Sequence, residues 1–138
     1  RMKMRIEIFA LCDAATADHG KLNMLGVFDS IWVSKLPAVH SQCAIVLRVR
    51  FESIERGEHK VAVNFVDIDG KNVMPPAQGN LSISFPDEQK SVSSHLILNI
   101  QGLKLERLGE YAIDLAIDGQ QRASLPLFVK ERNTAARQ

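Results

Sequence analysis

The chain has 138 residues, 46% of them apolar and 24% charged, with 17 basic against 16 acidic side chains and a net charge of +1. That size fits one domain able to bury a substantial core, and the composition is that of a globule rather than a disordered chain. Charge this close to balance excludes general attraction to phosphate backbones or anionic lipid. No apolar run is long enough to span a bilayer, so neither nucleic acid nor membrane is an expected partner.

Along the chain the hydrophobic period is two, not 3.6. The first predicted strand, near 4–12, carries Phe9 and Leu11 in the phase opposite to Ile6, Ile8 and Ala10, so it is oily on both faces. A turn at Asp18-His19-Gly20-Lys21 leads to a second strand, near 21–33. There Trp32 points opposite to Ile31 and Val33, unless a bulge at Gly26 resets the alternation. Cys43, Ile45, Leu47, Val49 and Phe51 then alternate with a face bearing Arg48 and Arg50 over 43–52. That basic face reads as solvated, with Lys60 expected nearby on a neighbouring strand.

Further strands are predicted near 59–68, 79–85, 92–101, 110–118 and 121–129, each with one oily face and one small or polar face. Asp69-Gly70 and Asp118-Gly119 supply tight turns, and Pro75, Pro76 and Pro86 mark edges or strand ends. A single domain over 1–129 is expected, followed by a polar tail, 130–138, that frays. Seven or eight short strands with such turns make an antiparallel β-sandwich or an eight-stranded barrel.

One corner favours the sandwich. In "LERLGEYAIDLAIDG", residues 105–119, Tyr111 begins a strand after an irregular turn, as in the tyrosine corner of immunoglobulin-like domains. The position two residues later, a cysteine in antibodies, is Ile113. An immunoglobulin-like sandwich is the expected fold, with a C2-like sandwich as the alternative.

The opening "EIFALCDAAT…GKLNMLGVFDSI" and the late "GEYAIDLAIDG" resemble a family of small uncharacterised bacterial proteins. The resemblance covers essentially the whole chain. It implies a compact single-domain β protein from a bacterium and lends no catalytic residue.

The chemistry-bearing residues are few. Cys12 and Cys43 are the only cysteines, each inside an apolar strand pattern. Two buried free thiols are expected, with an inter-strand bridge as the alternative. Free thiols and the short apolar run from Ile8 to Cys12 suit a cytoplasmic location; a leader already removed is the alternative. Cys12-Asp13 with His19 suggests a nucleophile and base, but a neighbouring carboxylate raises a thiol pKa, so a hairpin connection is the better reading. His40 and Cys43 have ligand-like spacing without a second pair, and "DIDGKN", residues 67–72, lacks the glycine and terminal glutamate of a calcium loop. No cofactor is expected. The leading function is therefore a non-enzymatic binding or accessory module, acting through a protein partner or self-association. A small hydrolase or metal-dependent enzyme using Cys12 and Asp13 with His19 or His40 is the competitor. Phe9, Leu11, Phe28 and Trp32 are the expected contact surface, because the two early strands carry more apolar surface than one interior absorbs.

Overall fold

A computed structural model describes residues 3–86 and 88–132; the tail expected from 130 onward lies mostly outside them. The strands are β1 (Arg5–Asp18), β2 (Lys21–Val27), β3 (Ser30–Val33), β4 (Ala38–Glu52), β5 (Gly57–Val66), β6 (Ala77–Ile83), β7 (Ser91–Leu105), β8 (Gly109–Ile117) and β9 (Gln120–Glu131), with one 3-10 turn at Ser53–Glu55. They form two sheets, ordered β2-β1-β4-β7 and β3-β9-β8-β5-β6. Two separate sheets make this a sandwich and not a closed barrel.

The inward phases expected from alternation are those observed. Ile45, Leu47, Val49 and Phe51 of β4 face Val61, Val63 and Phe65 of β5, with Ile113, Leu115 and Ile117 of β8, in one continuous core. Near the start of β4 the phase switches. Ser41 and Gln42, and opposite them Gln101 and Gly102 of β7, are all exposed, so His40 and Leu103 take the inward positions without loss of register. On the far side of the sandwich, β6 approaches β7 closely. A Cβ on Gly79 would stand 2.7 Å from Leu96 Cδ2, so the absence of a side chain there lets the two sheet edges meet.

The early strands differ from expectation in three ways. The stretch read as one strand over 21–33 is two, because the chain leaves β1 after Val27 and crosses at Phe28–Asp29 to the other sheet. There β3 pairs with β9, the one parallel pair among the described strands. Pairing between β1 and β2 passes Gly26 in register; the bulge lies instead in β1, between Ile6 and Ile8. That extra residue returns Ile6 to the same side as Phe9 and Leu11, where all three pack on the core. Glu7 and Ile8 are thereby left on the outer face. Lys60 is also not beside Arg48 and Arg50, because β4 and β5 belong to different sheets. Both arginines clamp Glu7, at 2.7 Å from Arg50 and 2.8 Å from Arg48, and those bonds hold its carboxyl down to about 2.

The second oily face of β1 is covered by its own neighbours. Cys12, Ala44 and Val46 are fully buried on it beneath Ile8, Ala15, Leu22 and Ile97. The tyrosine corner is formed: Tyr111 Oη donates to the Arg107 carbonyl at 2.7 Å. Arg107 also forks onto Asp67 and Asp69, and Asp67 accepts the Asp69 and Lys71 amides, so "DIDGKN" is a self-bonded turn.

Candidate functional site

Three of the four expected surface residues converge. Phe9, Ala10 and Leu11 of β1, Val27, Phe28 and Asp29 at the crossing, and Leu125 and Pro126 of β9 line a cleft of about 370 Å³. It opens on the side of the sandwich opposite the β6–β7 contact, where β1 and β9 run past each other without pairing. Phe9 and Phe28 are half-buried, packing on the core with one side and lining the cleft with the other. Val27 is 61% exposed at the rim, and Leu25, two residues earlier on β2, is exposed as well.

Two of the four need correction. Leu11 is only 3% exposed and belongs to the core, because its register opposite inward-facing Ile45 points it inward; it supports the cleft and offers no surface. Trp32 is 43% exposed, yet it lines a neighbouring cleft of about 350 Å³ with Pro37, Val39 and His40. Lys130 Nζ sits 5.1 Å from its ring centroid. The Phe28 and His40 rings, 5.7 Å apart, form the ridge between the two clefts. Leu11→Ala should therefore cost about 2–4 kcal/mol in urea unfolding, as a buried truncation does, whereas Trp32→Ala should stay within about 1 kcal/mol.

The nucleophile residues are dispersed. Cys12 Sγ donates to the carbonyls of Ala14 and Ala44, and burial pushes its thiol up, the reverse of what a nucleophile requires. His19 Nδ1 pairs with Asp18 at 2.8 Å on the exposed turn. His40 lies four positions along β4 from Ala44, the residue opposite Cys12, which is about 13 Å of extended chain. Asp13 lies across from Gly26, whose added Cβ would stand 2.4 Å from Asp13 Oδ2. With its φ of +71°, that position accepts little but glycine.

Cys43 is buried in the core, its thiol pushed up to about 11 by desolvation, and both cysteines are free. Thiol titration of the denatured chain should count both, and titration of the native chain few. A denatured chain with none under non-reducing conditions would contradict this. Among the described residues no group of three or more potential metal ligands stands together.

Sequence reading missed one polar cluster. His59 is buried, with Nδ1 2.7 Å from Asp118 Oδ2, Nε2 2.5 Å from the Glu55 carbonyl, and its ring stacked on Phe51 at 4.8 Å. Buried Glu55 accepts the backbone amides of Lys3, Met4 and Glu52, tying the start of the chain to the 3-10 turn. The signal was present: His59 shares the inward phase of Val61 and Val63. Phe51 covers the His59 ring while Asp118 reaches solvent, and the cluster's bonds tie β5, the 3-10 turn and the β8–β9 turn together.

The fold and this surface define a two-sheet β-sandwich domain whose most distinctive feature is an apolar cleft at the open seam between its sheets. No helix among the described residues is long and apolar enough to cross a membrane. The chain belongs to DUF6941, a family of unknown function whose model matches residues 7–130. Comparison with curated proteins gives no significant match. Among solved structures the chain is similar to the β-glucosidase from Listeria innocua in complex with isofagomine, with a TM-score of 0.55 and 7% identity over 94% of this chain. The complex of that enzyme with glucose scores 0.53. The Pseudomonas fluorescens alkylpurine DNA glycosylase AlkC, bound to DNA containing an abasic site analog, scores 0.49 at 8% identity over 92% of this chain, too low to carry an argument. The chain spans 16% of the β-glucosidase's length and 30% of the glycosylase's, and these likenesses bear on the fold alone.

Proposed function

We propose that the chain is an immunoglobulin-like binding or accessory module that works through protein contacts at the Phe9–Phe28 cleft, in the cytoplasm, without catalysing a reaction. The observation that carries this reading is the group of apolar side chains, Val27 at the rim with Phe9, Phe28 and Leu125 inside, that lines the cleft between two strand edges. Aromatic side chains half-sunk in a core and open on one side are the anchors that protein interfaces use. The parallel β3–β9 pair and the Tyr111 corner support the immunoglobulin-like assignment. Two buried free thiols support a reducing compartment.

Immobilised full chain and its Val27→Asp form, each exposed to lysate of the source cells, test the reading. Val27 is exposed, so the variant should match the parent in stability within about 0.5 kcal/mol. A partner retained by the parent and lost by the variant is expected; identical retained sets would overturn the assignment of the cleft. Self-association through the same cleft would show in light scattering as a concentration-dependent mass that Val27→Asp abolishes.

A further inference from the structure

We propose that the cleft takes an extended peptide segment of another protein, added as a strand along the vacant edge of β1; this rests on the reading of the cleft as a contact surface. β1 is 14 residues long, but β2 pairs only with its second half, from Cys12 to Asp18. Over Arg5–Leu11 the only strand paired with β1 among the described residues is β4, on one side. On the other side the chain has already left β2 for the second sheet, and among the described residues no strand fills the lane beside Arg5–Leu11.

The backbone of that lane is set up for a strand. The Phe28 amide donates to the Leu11 carbonyl at 3.0 Å, which marks the side of β1 facing away from β4. In an antiparallel ladder alternate residues face the same way, so the Phe9 N–H and C=O point into the lane as well. The opposite wall is different. The Phe128 amide donates to the Asp29 carbonyl at 2.8 Å, marking the outward side of β9. Two residues back, in the same phase and lining the cleft, stands Pro126, which has no N–H. The β9 edge is thus closed to strand pairing beside the cleft, while the β1 edge keeps a donor and an acceptor.

This asymmetry selects the occupant. Backbone groups of Phe9 require a partner that both donates and accepts at strand spacing, which an apolar small molecule does not offer. A second copy pairing β1 with β1 about a two-fold axis at Phe9 would bring its own Phe28 against Glu7, since Phe28 already fills the lane beside Leu11. A separate extended segment meets no such obstacle. The bulge at Glu7 limits the pairing to a few residues, and the cleft receives the apolar side chains that alternate inward from that segment.

The test uses the full chain and a phage-displayed library of linear peptides of about twelve residues, counter-selected on Val27→Asp. An enriched peptide is then synthesised with a single N-methyl group at each position in turn. Strand addition predicts losses of about tenfold at alternate positions and little between them, because each alternate amide makes one backbone hydrogen bond. It also predicts that the Phe9 amide, fast to exchange in the free chain beside slower Ile8 and Ala10, becomes protected in the complex. Peptides that Val27→Asp still rejects, but whose N-methyl scan has no period of two and which leave Phe9 unprotected, would overturn strand addition and leave the contact surface standing. Failure to enrich any peptide on the parent over Val27→Asp would also overturn it, even where a partner is retained from lysate.

Discussion

Phe51→Ala should destabilise the sandwich by about 3–5 kcal/mol, a large share of what a domain of this size has in total. Phe51 is among the largest side chains with no exposure at all. It lies in the phase of β4 that faces the second sheet, and its ring stacks on His59 at an interplanar angle of 26°. Truncation removes the whole ring from close packing and opens a path for water to the buried His59 imidazole. The two losses add, because the buried bond between His59 Nε2 and the Glu55 carbonyl gains strength from being shielded from water. Phe51→Leu, which keeps most of the volume, should cost under about 2 kcal/mol. Urea unfolding with an unchanged slope checks both. Equal losses for the two variants would mean that volume at this site is not what matters.

The second large effect is a pH dependence. Both ring nitrogens of His59 face acceptors, the Asp118 carboxylate and the Glu55 carbonyl, so the imidazolium alone satisfies both. Burial works against that charge, but the Glu55 carbonyl and then the Asp118 carboxylate outweigh it, and the folded pKa lies above the ordinary 6.5. The resulting stabilisation is fully present below that ordinary value and is lost as pH rises through the raised folded one. Asp118 has the opposite sign. Burial pushes its carboxyl up, yet the bonds from His59 and from the Lys60 amide hold it below 3.8. Its contribution is present at and above that value and is lost in stronger acid. Arg122 adds a favourable field on Asp118.

The parent should therefore lose stability on going from mildly acidic to alkaline buffer. Asp118→Asn should cost about 1–3 kcal/mol at mildly acidic pH and flatten the profile. A parent whose unfolding free energy does not change over that range would show that His59 is neutral in the folded chain.

Much of this architecture was legible because alternation is a local signal. From Cys43 to Phe51 and from Tyr111 to Ile117, each residue's neighbours two places away announce its face, and the structure buries those residues accordingly. The break between β2 and β3 was not legible. Phe28 continues the apolar run, and only the pairing of β3 with residues about a hundred positions later fixes where the chain changes sheet. The bulge at Glu7 was equally hidden, since a pair of arginines on β4 holds it in place. The same non-locality divided the expected surface: Phe9 and Phe28 share one cleft, Leu11 fell inside, and Trp32 went to the next groove. For His59 the half that could be read was its inward phase. Its partner Asp118 lies 59 residues away, in a turn that the sequence marks only as Asp-Gly.

The most direct measurement of the central claim is site-specific photocrosslinking in the source cell. A benzophenone amino acid is placed at Val27, on the rim of the cleft, and in a second strain at Ile54, which is 75% exposed on the 3-10 turn and lines none of the described clefts near β1. If the cleft is where this protein meets its partner, irradiation gives a discrete protein adduct from position 27 and none from position 54. No adduct from position 27, or the same adduct from both positions, would contradict the account.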